Sequence, residues 1–207
     1  MWFEADLLPG YAWSFPLPDG RANVGFGILR GGPVPWVPQA ESGTSSWTGG
    51  DPLRLGRPSL PEDRRMAWPI PAKVDRAVLD HGPVLFVGDA AAATDALTGE
   101  GIGQALLTGI LAGEAALAGS SPADVAEIYR RSVRRELVAD HRMSTALQAI
   151  LARPTGARAA VRLAGATPWT RRNFARWMFE DYPRALLATP HRWSRGLMSA
   201  PGAYATR

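Results

Sequence analysis

Asp89 and a glycine cluster ten residues beyond it, Gly99-Glu100-Gly101-Ile102-Gly103, are the residues here whose types and spacing could serve a ligand. Asp89 follows the short apolar run Val84-Leu85-Phe86-Val87 and Gly88. A carboxylate just past the C-terminal end of a strand lies where open α/β sheets present their ligands. The glycine cluster runs straight into Gln104-Ala105-Leu106-Leu107, a helical pattern. A helix start offers unpaired backbone N–H groups and partial positive charge, suited to a phosphate or an electron-rich carbonyl. Between the two, Ala90 to Ala93 keep the chain slender enough for a bulky ligand to approach the backbone. This is chemistry of holding, not of proton transfer. The same residues without a ligand would be a strand joined to a helix by a glycine-rich loop. No catalytic residue is indicated. Cysteine is absent, and His81, His141 and His191 are far apart with no metal-ligand spacing, so no metal site is expected. No G-x-S-x-G elbow, P-loop or helical H-E-x-x-H occurs. Asp95 and Glu100 could pair as carboxylates, but Glu100 reads as a residue that orders the loop.

The elements that must position these residues can be read from pattern. Val84–Val87, bounded by Gly82-Pro83 and Gly88, predicts a fully buried strand, and residues 101–118 a packed core helix. Ser121-Pro122-Ala123-Asp124 is a helix start, with Ser as cap, Pro in the first position and an acid in the third. That helix is expected to run to about residue 152. Tyr129, Val133, Leu137, Met143, Ala146, Leu147 and Ile150 should form its buried side, with Arg130, Arg131, Arg134 and Arg135 mostly outward. A further helix should start at Thr167-Pro168 and end near Tyr182-Pro183. Its Trp169, Phe174, Trp177, Met178 and Phe179 are spread around the axis, which suits either core packing or insertion into something apolar.

Upstream, Tyr11, Trp13, Phe15 and Leu17 alternate with smaller residues, Pro18-Asp19-Gly20 is a turn, and Val24, Phe26 and Ile28 resume the alternation. The expected β-hairpin has one large apolar side and one slender side, where Gly25 and Gly27 leave room for a flat or long ligand. Residues 31–69 are dense in Gly, Pro, Ser and Trp; residues 43–50 suggest a loop or lid, and 51–65 a short helix. The tail 196–207 is small and polar enough to fray.

With 46% hydrophobic and 20% charged residues, the 207-residue chain belongs to the globular class and can bury a sizeable core. No apolar run reaches the roughly 20 residues of a spanning helix, and the N-terminus has no signal-peptide pattern. A cytoplasmic location is expected, with peripheral membrane contact as an open alternative. The net charge of +4 is uneven: residues 1–100 carry 8 basic and 12 acidic groups, and residues 101–207 carry 15 and 7. A basic C-terminal half could meet phosphates or an anionic surface, although a solvated arginine-rich face explains it equally. The arginines do not cluster with a nucleic-acid reading motif, so no nucleic-acid partner is expected.

Gly88-Asp89-Ala90-Ala91, followed by Asp95-x-Leu97-Thr98-Gly99-Glu100-Gly101-Ile102, resembles the second flavin-binding motif of FAD-dependent oxidoreductases built like p-hydroxybenzoate hydroxylase. It is most similar to the geranylgeranyl reductase group. Pro9-Gly10-Tyr11-Ala12-Trp13-Ser14-Phe15-Pro16 resembles the Tyr-x-Trp-x-Phe-Pro signature of the same group. The resemblance implies that Asp89 holds the flavin ribityl chain and nearby phosphate, with Gly88 and Ala90 beside it in the cofactor site. It places the backbone of Gly99, Gly101, Ile102 and Gly103 at the isoalloxazine, and Tyr11, Trp13 and Phe15 in a prenyl-chain pocket. The implied cofactor is FAD, with NADPH as a candidate electron donor. The group usually has Gly where Ala92 stands and Pro where Ala96 stands.

The implied fold is α+β, the C-terminal part of a two-domain oxidoreductase. Residues 1–72 would form a partial substrate-binding β region, 73–120 the second half of the FAD domain, and 121–207 a C-terminal helical region. A G-x-G-x-x-G pyrophosphate clamp is not in the sequence, so the chain is expected to be a fragment or to have a partner chain that carries the clamp. The implied activity is reduction of isoprenoid C=C bonds by hydride from reduced flavin. An aromatic monooxygenase is the alternative within enzymes, and a non-catalytic remnant or subunit the alternative outside them.

Overall fold

The computed structural model describes residues 8–29, 68–179 and 185–193. The expectations for residues 31–67 and for the tail 196–207 fall outside them. Among the described residues there are two small antiparallel strand pairs and four α-helices, an α+β arrangement. The chain divides into two compact units, residues 1–68 with 151–157, and residues 69–150 with 158–207.

The first unit contains the expected hairpin. Strand β1 (Tyr11–Pro16) pairs antiparallel with β2 (Ala22–Gly27) across a 3-10 turn at Pro18–Gly20, where Gly20 takes a φ of +74°. The register opposes Tyr11 to Gly27, Trp13 to Gly25 and Phe15 to Asn23. Residues directly opposite in an antiparallel pair share a face. The glycines therefore lie on the aromatic side, and there is no slender side. A Cβ at Gly25 would collide with the Trp13 indole, which occupies the space that the glycine frees. The indole is flanked by Tyr11 and Phe15, with ring centroids 6.0 and 6.5 Å away, and its N–H donates to Asn23 Oδ1 at 3.0 Å. Val24 and Phe26 share the opposite face with Ser14 and Ala12.

In the second unit, β3 (Asp80–His81) and β4 (Val84–Leu85) form a minimal hairpin around Gly82-Pro83. The buried strand expected at 84–87 is thus two residues long, and Val84 is 52% exposed. Its apolar character met no further strand among the described residues to cover it. Helix α1 (Ile102–Ala118) buries a single line, Thr108, Leu111 and Ala115. Ile102, Leu106, Ile110 and Leu117 are exposed, so α1 is half covered rather than a packed core helix.

Helix α2 (Pro122–Leu151) starts and ends as expected. At its start Ser121 Oγ accepts from the Asp124 N–H at 3.3 Å, while the Asp124 carboxylate accepts from the N–H and hydroxyl of Ser120. Those two bonds hold the Asp124 carboxyl below its ordinary value. Tyr129, Val133 and Leu137 pack with Leu111, Ala115, Val74, Leu79, Ala91 and Ala93 to form the core. Beyond Leu137 the expected apolar side holds only in part: Met143 and Leu147 are half-buried, Ala146 and Ile150 are exposed, and the polar His141, Ser144 and Gln148 also turn inward. Among the arginines, Arg130 turns inward to Asp80, with Nη1 2.9 and 2.8 Å from the two carboxylate oxygens.

Helix α3 (Pro154–Gly165) buries no residue. Helix α4 (Pro168–Phe179) begins at a reciprocal cap, in which Thr167 Oγ1 accepts from the Thr170 N–H at 3.0 Å and Thr170 Oγ1 accepts from the Thr167 N–H at 2.9 Å. Trp169 and Phe174 are exposed while Trp177 and Met178 are half-buried and Arg176 is buried, so α4 is covered on one side only. No helix among the described residues is long and apolar enough to cross a membrane.

Candidate cofactor site

The segment 88–101 links β4 to α1 through three left-handed backbone positions, Gly88, Ala92 and Gly99, and a tight turn. Gly88 has a φ of +54°, and a Cβ there would sit 3.1 Å from the Ala105 Cβ on α1. Both facts favour glycine. The Gly88 N–H donates to Thr108 Oγ1 at 2.9 Å, and that hydroxyl donates back to the Gln104 carbonyl at 2.7 Å. Residues 88–91 form a 3-10 turn that closes at Ala92, which is left-handed with φ 49°. The group's usual glycine at this position has its reason here: an alanine must bear the strain. Ala92 and Ala93 are anchored from outside, by Lys73 N–H on the Ala92 carbonyl and by a bridge from Ala72 to Ala93.

Asp89 stands exposed at the start of this turn. Its Oδ1 accepts from Thr94 Oγ1 at 3.1 Å. Gly101, the residue before α1, lies against both: a Cβ on it would be 3.3 Å from Thr94 Oγ1 and 3.4 Å from Asp89 Oδ1. No side chain caps the α1 N-terminus. A carboxylate, a hydroxyl and an uncapped helix start thus converge on Gly101. Ala90, Gly99, Ile102 and Gly103 are exposed around them, while Gly88 is buried beneath.

The loop keeps its shape through Asp95 rather than Glu100. The buried Asp95 carboxylate accepts from the N–H groups of Leu97 and Thr98 at 2.7 and 2.9 Å through Oδ1, and from Ser144 Oγ at 3.0 Å through Oδ2. Gln148, one turn along α2, donates to the Ala96 carbonyl at 2.7 Å. The side chain of Glu100 is not part of this; its carbonyl accepts from the Asp95 N–H and its N–H donates to Thr98 Oγ1. A buried aspartate can accept several bonds and needs donors for all its lone pairs, whereas a glutamate on the rim has water. Under the other end of the loop, the buried Tyr129 hydroxyl donates to the Phe86 carbonyl at 2.6 Å. Burial pushes the Tyr129 hydroxyl up to about 12, so it remains a neutral donor.

Thr94, Thr108, Tyr129, Ser144 and Gln148 were not singled out in the sequence as parts of the site. Ser144 and Gln148 carried one available signal, an i,i+4 polar pair in line with Leu137 on an otherwise apolar seam. Tyr11, Trp13 and Phe15 lie in the other unit, on β1, with Phe15 51% exposed. His81 is exposed, and His141 Nε2 lies 3.1 Å from Asp75 Oδ1. No cluster that could hold a metal ion occurs among the described residues.

The chain is 34% identical over 122 residues to digeranylgeranylglycerophospholipid reductase 1 of Methanopyrus kandleri, a match that covers 56% of this chain and 30% of the relative. Over this stretch the chain is similar to proteins named digeranylgeranylglycerophospholipid reductase. A second such relative, the digeranylgeranylglycerophospholipid reductase of Methanosarcina acetivorans, is 30% identical over 140 residues, 65% of this chain and 33% of the relative. Menaquinone reductase of Mycobacterium tuberculosis is 34% identical over 123 residues, 54% of this chain and 27% of the relative. The chain thus spans about a third of the length of the curated geranylgeranyl reductase relatives it matches. No family model matches the chain, and no solved structure matches it.

Proposed function

We propose that this chain carries the flavin-facing part of an FAD-dependent reductase that acts on the C=C bonds of an apolar, isoprenoid-type substrate. The observation that carries the reading is the convergence of the Asp89 carboxylate, Thr94 and Gly101 on the uncapped start of α1. The reductase names of the relatives support reduction over the hydroxylation alternative. Bound FAD would supply hydride transfer to the double bond. The chain's own residues then have simple tasks. Asp89, fixed by Thr94, accepts hydrogen bonds from hydroxyls of the ribityl chain. The backbone amides that follow Gly101, at the uncapped start of α1, would hold an electron-rich edge of the bound cofactor and favour negative charge there. Asp95, Ser144 and Gln148 hold the loop so that these amides are in place before the cofactor arrives, which removes an ordering cost from binding. Tyr11, Trp13 and Phe15 supply an apolar surface for the substrate chain.

Equilibrium titration of the chain with FAD, followed by flavin absorbance and fluorescence, tests the reading. A saturable spectral change at one flavin per chain is expected. Asp89→Ala should weaken it about tenfold or more, the worth of one hydrogen-bonded charge. A wild-type chain that leaves the flavin spectrum unchanged, or an Asp89→Ala chain that binds as well, would overturn it.

A further inference from the structure

Between Asp140 and Glu180 the sequence contains seven arginines and no acidic residue. The part of this stretch in the second unit, residues 158–179, forms the end of α3 and all of α4. Arg158 and Arg162, one turn apart on α3, are exposed, as are Arg171 and Arg172 on α4. Large apolar side chains are exposed among them: Val161 at 59%, Leu163 at 72%, Trp169 at 52% and Phe174 at 41%. The two helices are linked at their junction by Arg171 Nη1, which donates to the Gly165 carbonyl at 3.3 Å.

From this patch we infer that α3 and α4 form a docking surface for an anionic phospholipid bilayer. Two features together select this occupant. An unbroken positive charge over two consecutive helices complements anionic head groups. Exposed Trp, Phe, Leu and Val beside those arginines suit the boundary between head groups and acyl chains, where an indole is favoured and arginine stems lie along apolar surface. A solvated basic face needs no such apolar residues, and a protein partner of the usual mixed charge gives no reason for the missing acids. The inference stands apart from the cofactor reading, so either can fail without the other.

The test is co-sedimentation of the full chain with vesicles of phosphatidylcholine alone and of equimolar phosphatidylcholine and phosphatidylglycerol. The chain should pellet with the second and not the first, and should be released at high salt as the surface charge is screened. Arg162→Glu with Arg172→Glu should lower partitioning about tenfold or more, and the milder Arg162→Gln with Arg172→Gln should lower it less, in the same direction. Arg131→Glu with Arg134→Glu changes the net charge equally on α2 and should leave binding nearly intact; circular dichroism confirms that each variant keeps its helices. Trp169→Ser should weaken binding about fivefold, because the indole enters the interface. Failure to pellet with either vesicle overturns the inference. So does equal loss in the two charge-reversed pairs, which would make net charge sufficient. Trp169→Ser without effect overturns it too, since a purely electrostatic polyanion such as nucleic acid would then fit as well.

Discussion

The loop 88–101 and the hairpin 11–27 are both rich in glycine and both read as ligand surfaces, yet they spend their glycines differently. In the loop, Gly88 serves a left-handed turn and a close approach to α1, and Gly101 allows a close approach to the bonded pair Thr94 and Asp89. Side chains from beyond the loop, Thr108, Ser144 and Gln148, then fix its backbone. In the hairpin, Gly25 is covered by the hairpin's own Trp13, and the strands are held by their ladder and an aromatic row. The first glycine set is held open by distant residues; the second is filled from across the ladder. A glycine predicts room only where no neighbour from the opposite strand claims it.

Three substitutions sharpen that contrast or break it. The largest effect is expected at Asp95. Asp95→Ala leaves the Leu97 and Thr98 N–H groups and the Ser144 hydroxyl without their acceptor and should destabilise the chain by about 3 kcal/mol. Thermal unfolding measures this, and hydrogen exchange at Leu97 and Thr98 should quicken with it. Gly25→Ala must push the Trp13 indole off the sheet and break its bond to Asn23. The cost should be about 1 kcal/mol, since an exposed ring can move, and a shifted indole N–H resonance would report the movement. If the hairpin variant proved the more damaging, the contrast between a stitched loop and a self-filled hairpin would fall. Ala92→Gly has the smallest expected effect and the opposite sign. Relief of the left-handed alanine should add about 1 kcal/mol of stability, less the extra freedom of an unfolded glycine. A loss of stability there would show that Ala92 does more than tolerate its φ.

Local signals in the sequence were legible wherever chemistry and structure are neighbours along the chain. The Pro18–Gly20 turn, the Ser121-Pro122 start of α2 and the Thr167-Pro168 start of α4 stand where their residues place them. The misreadings share a physical cause: each depended on what lies across the fold. Val84–Val87 had the composition of a buried strand, but burial requires covering elements, and composition does not supply them. The faces of α1 could not be told apart because it is apolar nearly all round, and only packing into the core cluster, with Val74, Leu79, Ala91 and Tyr129 among its members, distinguishes Leu111 from Ile110. The hairpin glycines were assigned to the wrong side because register, not alternation within one strand, decides which residues meet. Along α2, inward residues were assumed to be apolar. Where the helix faces a loop with a buried carboxylate and a free carbonyl, the favourable inward residues are donors, Ser144 and Gln148. In the candidate site, the backbone positions at Asp89 and Gly101 followed from motif order, while their supporting shell did not.

One property of α2 reaches further than stability. A single helix carries Tyr129 under the Phe86 carbonyl, His141 beside Asp75, Ser144 on Asp95 and Gln148 on Ala96. With about 1.5 Å of rise and about 100° of turn per residue, that row acts as a ruler. One residue inserted between Tyr129 and Ser144 would swing every later contact by more than a quarter turn, even with the helix itself unharmed. Over generations this helix can exchange its outward arginines freely, but its length between those contacts is fixed by the loop it measures.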